Sequence, residues 1–192
     1  MRKLAVAVAL TVALMLGASP VFAHVTPNVE LVKRAEFIRQ SLPAATKFSE
    51  QRLSLSAAEL GAVKKATGWT PSEEEAKLYV GRDDQGGLLG RVVMLWIPSQ
   101  HGPVGVAAAF DPAGKILRVA VTDLGSEPLA WVRPLLDRNG LAAFAGLPAD
   151  AAPDPARIAP EVTGAMSRYF ARVIADGVAR AQALERLAMA PR

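Results

Sequence analysis

The residues best suited to chemistry in this chain lie at Val162-Thr163-Gly164-Ala165-Met166-Ser167, where small side chains lead into a long helix-patterned run. A helix start of this composition leaves backbone N–H groups without intrahelical acceptors and adds the positive end of the helix dipole. A phosphate can be held there without a Lys or Arg. Thr163 equally has the chemistry of a simple helix cap, and spacing alone leaves both roles open. The chain has 2 histidines, His24 and His101. An N-terminal His chelates copper through its amine and ring nitrogen when a second imidazole joins them. Nothing in the sequence brings His101 to His24, so no metal site is assigned. Neither histidine accompanies a Ser in a Gly-x-Ser-x-Gly setting, which leaves no hydrolase and no assigned catalytic residue.

Composition places these residues in an exported protein. Met1-Arg2-Lys3 precedes an uncharged apolar run from Leu4 to about Ala18, followed by Ser19-Pro20-Val21-Phe22-Ala23. This is the pattern of a secretory signal peptide, cleaved after Ala23, and it is shorter than the roughly 20 apolar residues that span a bilayer. The expected location is the periplasm, with residues 1–23 as signal and 24–192 as one domain. Without Arg2 and Lys3 the chain keeps 20 basic residues against 18 acidic ones, a formal charge of +2 rather than +4. That balance gives no reason to expect a nucleic-acid partner. With 0 cysteines, disulfides, thiolate metal sites and c-type haem attachment are excluded.

The elements that must position the Val162–Ser167 segment follow from periodicity. Leu31, Val32, Ala35, Ile38 and Leu42 recur at helical spacing over residues 29–42, ending at Pro43. An extended piece spans residues 47–55. Ser56-Ala57-Ala58-Glu59 then has the capping-box form, and Gly68 is placed to end that helix. Strands are expected over residues 76–82, 88–97, 104–110 and 115–123, separated by Asp83-Asp84-Gln85-Gly86-Gly87, by Pro98 to Pro103, and by Asp111-Pro112-Ala113-Gly114. Links this short require antiparallel neighbours, hence a meander. Gly125-Ser126-Glu127-Pro128 breaks the last strand. A helical pattern runs from Leu129 to Gly146, a connector over residues 149–160, and an amphipathic helix from Gly164 to Leu187. The expected fold is α+β: an antiparallel meander sheet of about four or more strands packed against amphipathic helices, in a single domain.

The order of these segments resembles the FMN-binding domain family of bacterial respiratory proteins, which includes the periplasmic flavin-carrying domains of Rnf and sodium-pumping redox complexes. The resemblance runs through Leu42-Pro43-Ala44-Ala45-Thr46, Leu53-Ser54-Leu55-Ser56, Tyr79-Val80-Gly81-Arg82 and His101-Gly102-Pro103-Val104. It is clearest in Phe110-Asp111-Pro112-Ala113-Gly114-Lys115-Ile116-Leu117-Arg118-Val119 and continues through Glu127-Pro128 to Val162-Thr163-Gly164-Ala165. In that family the last motif reads roughly D-x-x-S-G-A-T, and FMN is linked through its phosphate to the Thr. Here Pro160 stands at the Asp position and Met166 at the acceptor position. A thioether cannot form the phosphoester, and Ser167 points about 100 degrees further round a helix. The resemblance therefore implies FMN bound noncovalently, or absent. Its cofactor contacts would be Thr163, Gly164, Ala165 and Ser167 at the phosphate, with Glu127 and Trp131 near the ring. The implied role is periplasmic electron transfer with a redox protein partner in the cell envelope, as a carrier or binding protein rather than a stand-alone catalyst. The alternative is a flavin-free member serving as a binding or scaffold partner of an exported redox system.

Overall fold

The computed structural model describes residues 27–158 and 160–191. Residues 1–23, expected as a signal peptide, and His24 lie outside the described residues. Strands β1 (Asn28–Glu30), β2 (Lys47–Arg52), β3 (Lys77–Arg82), β4 (Leu88–Ile97), β5 (Val104–Phe110) and β6 (Ile116–Gly125) form one 6-stranded sheet in the order β1-β6-β5-β4-β3-β2. Every neighbouring pair is antiparallel. The fold is thus the expected α+β meander.

At one edge of the sheet the chain departs from the sequence reading. Residues 29–42 were expected to be one helix, but Asn28–Glu30 pair with Asp123–Gly125 as β1. Helix α1 starts only at Arg34 and runs to Ser41. The physical reason is that Leu31 and Val32 both donate their backbone N–H to the Thr122 carbonyl, which spends on the sheet the groups that a helix would use. At the other edge, residues 47–52 form β2 against β3, with α2 (Ala57–Thr67) inserted before β3. The α2 capping box is present in both directions, Ser56 Oγ accepting from the Glu59 N–H and the Glu59 carboxylate from the Ser56 N–H. Gly68 ends the helix at φ 68°, a left-handed position where a Cβ would be strained.

β5 is buried along its whole length and lies at the middle of the molecule. Its alternate residues face two separate cores. Val104, Val106, Ala108 and Phe110 meet the large core, to which α3 (Ser126–Asp137) and α4 (Ala165–Met189) contribute Val132, Leu135, Phe170, Ile174 and Leu184. Ala107 and Ala109 meet the small one, capped by Phe37, Ile38 and Leu42 of and beside α1. The helical stretch expected over residues 129–146 divides into α3, which begins three residues earlier at Ser126, and a 3₁₀ turn over Gly140–Phe144. Pro128 is compatible with this because it lies in the first turn of α3, where the missing N–H has no intrahelical acceptor.

Two contacts fix α4 on the sheet. Gly177 lies so close to the strands that an added Cβ would come within 2.9 Å of Ile97 and 3.0 Å of Val106. Further along α4, Glu185, fully buried, accepts a 2.7 Å hydrogen bond from Arg91 of β4. Burial pushes the Glu185 carboxyl above its ordinary range, an effect Arg91 opposes and Asp111 reinforces. Its second oxygen has no hydrogen-bond partner among the described residues.

Because the folded-state pKa of Glu185 is raised, its contribution favours folding most strongly in acid and is lost as pH rises through the folded value. The difference in stability between wild type and Glu185→Gln, followed by denaturant unfolding from about pH 4 to about pH 8, is expected to change over that interval; a difference flat with pH would contradict it. Arg91→Ala leaves the buried carboxylate uncompensated and is expected to cost about 3–5 kcal/mol at neutral pH, less in acid. Gly177→Leu overpacks the α4 contact and should cost about 1–3 kcal/mol or more in the same assay.

Candidate functional site

One end of the large core gathers most of the residues singled out in the sequence. Glu127 and Trp131 lie four apart on α3, so they share a helix face. That face meets the β4–β5 loop. His101 approaches Trp131 edge-on, with ring centroids 4.8 Å apart, and its Nδ1 lies 3.4 Å from Glu127 Oε1. On its other side Trp131 stacks on Phe170 of α4 at 5.9 Å and an interplanar angle of 17°. Tyr169 packs edge-on to Phe170 at 5.2 Å, and its hydroxyl accepts a 3.0 Å hydrogen bond from the Gln100 N–H. The loop is closed on itself, Ser99 Oγ donating to the Gly102 carbonyl and accepting from the His101 N–H. The α3 face, the loop and the start of α4 are therefore one contiguous cluster, with Phe170 at 0% exposure as its floor.

The lead-in to α4 differs in detail from the sequence reading. Gly164, not Thr163, is the N-cap, and no side chain caps the helix. Thr163, Gly164 and Ala165 are exposed. A Cβ on Gly164 would meet only Ser167, with Oγ at 3.6 Å, so the space immediately beside Gly164 is open. The Thr163 carbonyl accepts a hydrogen bond from the Arg168 guanidinium, which folds back over the turn. Ser167 is turned inward at 7% exposure, on the side of Phe170, and Met166 packs against the large core.

A cleft of about 540 Å³ opens beside the segment that feeds this turn. It is lined by Arg138, Asn139, Gly140, Arg157, Pro160 and Glu161 among others, and Arg138 pairs with Glu161 at 3.3 Å across exposed surface. Pro160 and Glu161 precede Thr163 by three and two residues. Among the described residues no group of three or more His, Asp or Glu is arranged to hold a metal ion. None of the described helices is long and apolar enough to cross a membrane.

The sequence reading named Glu127, Trp131 and the Thr163–Ser167 turn; the fold sets Trp131 against Phe170 of α4 and Glu127 against His101 of the β4–β5 loop. Phe170, Tyr169 and Arg168 were not among the expected site residues, and His101 was weighed as a metal ligand and as part of the His101-Gly102-Pro103-Val104 stretch, not as a neighbour of Trp131. Phe170 was visible as an apolar position of α4, but its stacking on Trp131 depends on how two helices cross. Comparison with protein-family models, curated proteins and solved structures gives no match to this chain.

Trp131→Ala removes the ring that joins α3, the loop and α4. It should lower stability by about 3 kcal/mol, the low end of the range for buried aromatic truncation, whereas Glu127→Gln, which alters only a half-exposed carboxylate–imidazole contact, should change it far less. Urea unfolding of the two variants measures the difference.

Proposed function

We propose that this exported domain binds FMN noncovalently and serves as a periplasmic electron carrier for a redox partner in the cell envelope. The observation that carries the reading is the first turn of α4: its N-cap is a glycine, no side chain caps it, and Thr163, Gly164 and Ala165 are open to solvent. Unclaimed amide donors at the positive end of a 25-residue helix suit a phosphate dianion. Arg168 adds a positive charge beside the same turn. The 540 Å³ cleft next to Pro160 and Glu161 offers concave surface for the remainder of the cofactor. When bound, the isoalloxazine supplies one- and two-electron redox chemistry, and the protein's part is to hold and position it. Met166 carries no hydroxyl, so attachment by phosphoester at that position is chemically ruled out.

A second reading, a flavin-free domain that acts as a binding or scaffold partner of an exported redox system, is favoured by one observation. Trp131, the ring nearest to a stacking platform, already has Phe170 stacked on it and His101 in a T-shaped contact with it. The pair of readings separates in one measurement. Native and denaturing mass spectrometry of the chain from His24 onward, purified from its host, should show FMN in the native protein and none after denaturation. Flavin absent from both, together with no binding of added FMN, selects the scaffold. For the phosphate contact, Thr163→Glu places a carboxylate beside it and should weaken FMN binding about tenfold, equivalent to about 1.4 kcal/mol. Riboflavin, which lacks the phosphate, should bind the variant and wild type alike; equal effects on both ligands would place the phosphate elsewhere.

A further inference from the structure

On the opposite face of the sheet from α4, a second cleft of about 420 Å³ lies beyond the N-terminal end of α1. Its floor is a row of register partners across four strands: Glu30 of β1 faces Asp123 of β6, Asp123 faces Gly105 of β5, and Gly105 faces Trp96 of β4. The register of β6 shifts here, Gly105 pairing with Asp123 and Val106 with Val121, so Thr122 is an extra residue. A bulge of this kind re-aims side chains. Both Thr122 and Asp123 consequently lean over Gly105, where a built Cβ would meet Thr122 Oγ1 at 2.4 Å and Asp123 Oδ2 at 3.1 Å. Only glycine fits beneath them.

The groups in this cleft are not satisfied by one another. Thr122 is 8% exposed, yet its hydroxyl makes no hydrogen bond among the described residues. Glu30 and Asp123 have no ion pair or hydrogen bond to a described side chain. Of the two cations on the rim, Lys77 lies 3.7 Å from the Glu74 carboxylate, and Arg34 donates to the neutral Tyr79 hydroxyl at 3.2 Å rather than to Glu30 or Asp123. Trp96 presents its indole at 45% exposure, unlike the partly buried Trp69 and Trp131. Two carboxylates without a partner among the described residues, the hydroxyl of a largely buried Thr that opens into the cleft, and an exposed indole form the donor set of an organic-cation site, since the ring quadrupole attracts a cation and the carboxylates neutralise it. A hard metal ion would gain nothing from the indole.

We infer that this cleft binds an alkylammonium or guanidinium group through Asp123, Glu30, Thr122 and Trp96. The inference is independent of flavin, because the cleft and the α4 turn lie on opposite faces of the sheet. The cation could belong to a free polyamine or to a basic side chain of a partner protein, and the test separates these sources. The chain from His24 onward is titrated at physiological ionic strength with spermidine and with a short Gly-Lys repeat peptide. Calorimetry and quenching of tryptophan fluorescence are the readouts. Saturable binding is expected for at least one probe: tighter binding of spermidine indicates the free amine, and tighter binding of the peptide a protein side chain. Asp123→Asn should weaken it about tenfold. Trp96→Ala and Glu30→Gln, both at exposed positions, should each weaken it about two- to fivefold without loss of fold. Glu127→Gln, on the other face, should leave it unchanged. No saturable binding of either probe would overturn the assignment, as would binding indifferent to Asp123→Asn and Trp96→Ala, or magnesium competing equally well in wild type and Trp96→Ala.

Discussion

The close seating of α4 on β4 and β5 is the constraint on which the rest of the molecule depends. At Gly177 the helix backbone approaches the strands to the point where Ile97 and Val106 occupy the volume of a side chain. Once that position is fixed, the 3.6-residue period fixes the others. Ile174, Phe170 and Ser167 precede Gly177 by three, seven and ten residues and turn to the same side, which is why all three are buried. The first turn of α4 lies about 15 Å along the helix from Gly177, so a contact in the middle of the sheet determines where the uncapped N–H groups of that turn lie.

The same seating explains the composition of β5. A strand covered by helices on both faces cannot carry large side chains on each, and Ala107, Ala108 and Ala109 run through its centre. Bulk is moved outward to Phe110 and to the helices, where Phe37 and Phe170 supply it from opposite sides. The charged pair Arg91 and Glu185 is placed where α4 leaves this narrow zone. A buried pair of this kind adds little net stability, but it disfavours any register of α4 that would strand the carboxylate among apolar atoms. It works with Gly177 as a second marker of where the helix belongs.

Strands β3 to β6 were legible because each is bounded by turn residues with a physical signature. Asp83 accepts from the N–H groups of Gln85 and Gly87, and Asp111 from that of Lys115, local bonds that the sequence encodes directly. The α2 capping box was legible for the same reason. β1 was not, because its 3 residues merge with apolar positions at helical spacing, and only the Thr122 carbonyl on a distant strand decides between them. The start of α3 was missed because Ser126-Glu127-Pro128 reads equally as a strand breaker and as a first helical turn. For the site, Glu127 and Trp131 were legible as a pair four apart. The His101 ring, by contrast, reaches them through a loop whose path is set by Ser99 and Tyr169, and no periodicity carries that information.

The two candidate sites share the end of one hairpin, and the alternation of a strand keeps them apart. Ile97 and Val104 point to the large core beneath the β4–β5 loop, whereas Trp96 and Gly105, their immediate neighbours, point to the other face. Successive residues therefore serve different surfaces through a sheet that is itself dry and closely packed. The bulge at Thr122 breaks this alternation next to the hairpin end, one of three register shifts among the described strands, the others lying at Gly81/Arg82 and Ala109/Phe110. An extra residue there lets two consecutive polar side chains face the same way without forcing an apolar residue outward, and the ladder resumes with Val121 opposite Val106 in the large core. Had β6 remained regular, either Thr122 or Asp123 would have been directed into that core, where an unpaired carboxylate would cost several kcal/mol. The irregularity thus preserves the core on one face while concentrating polar groups on the other.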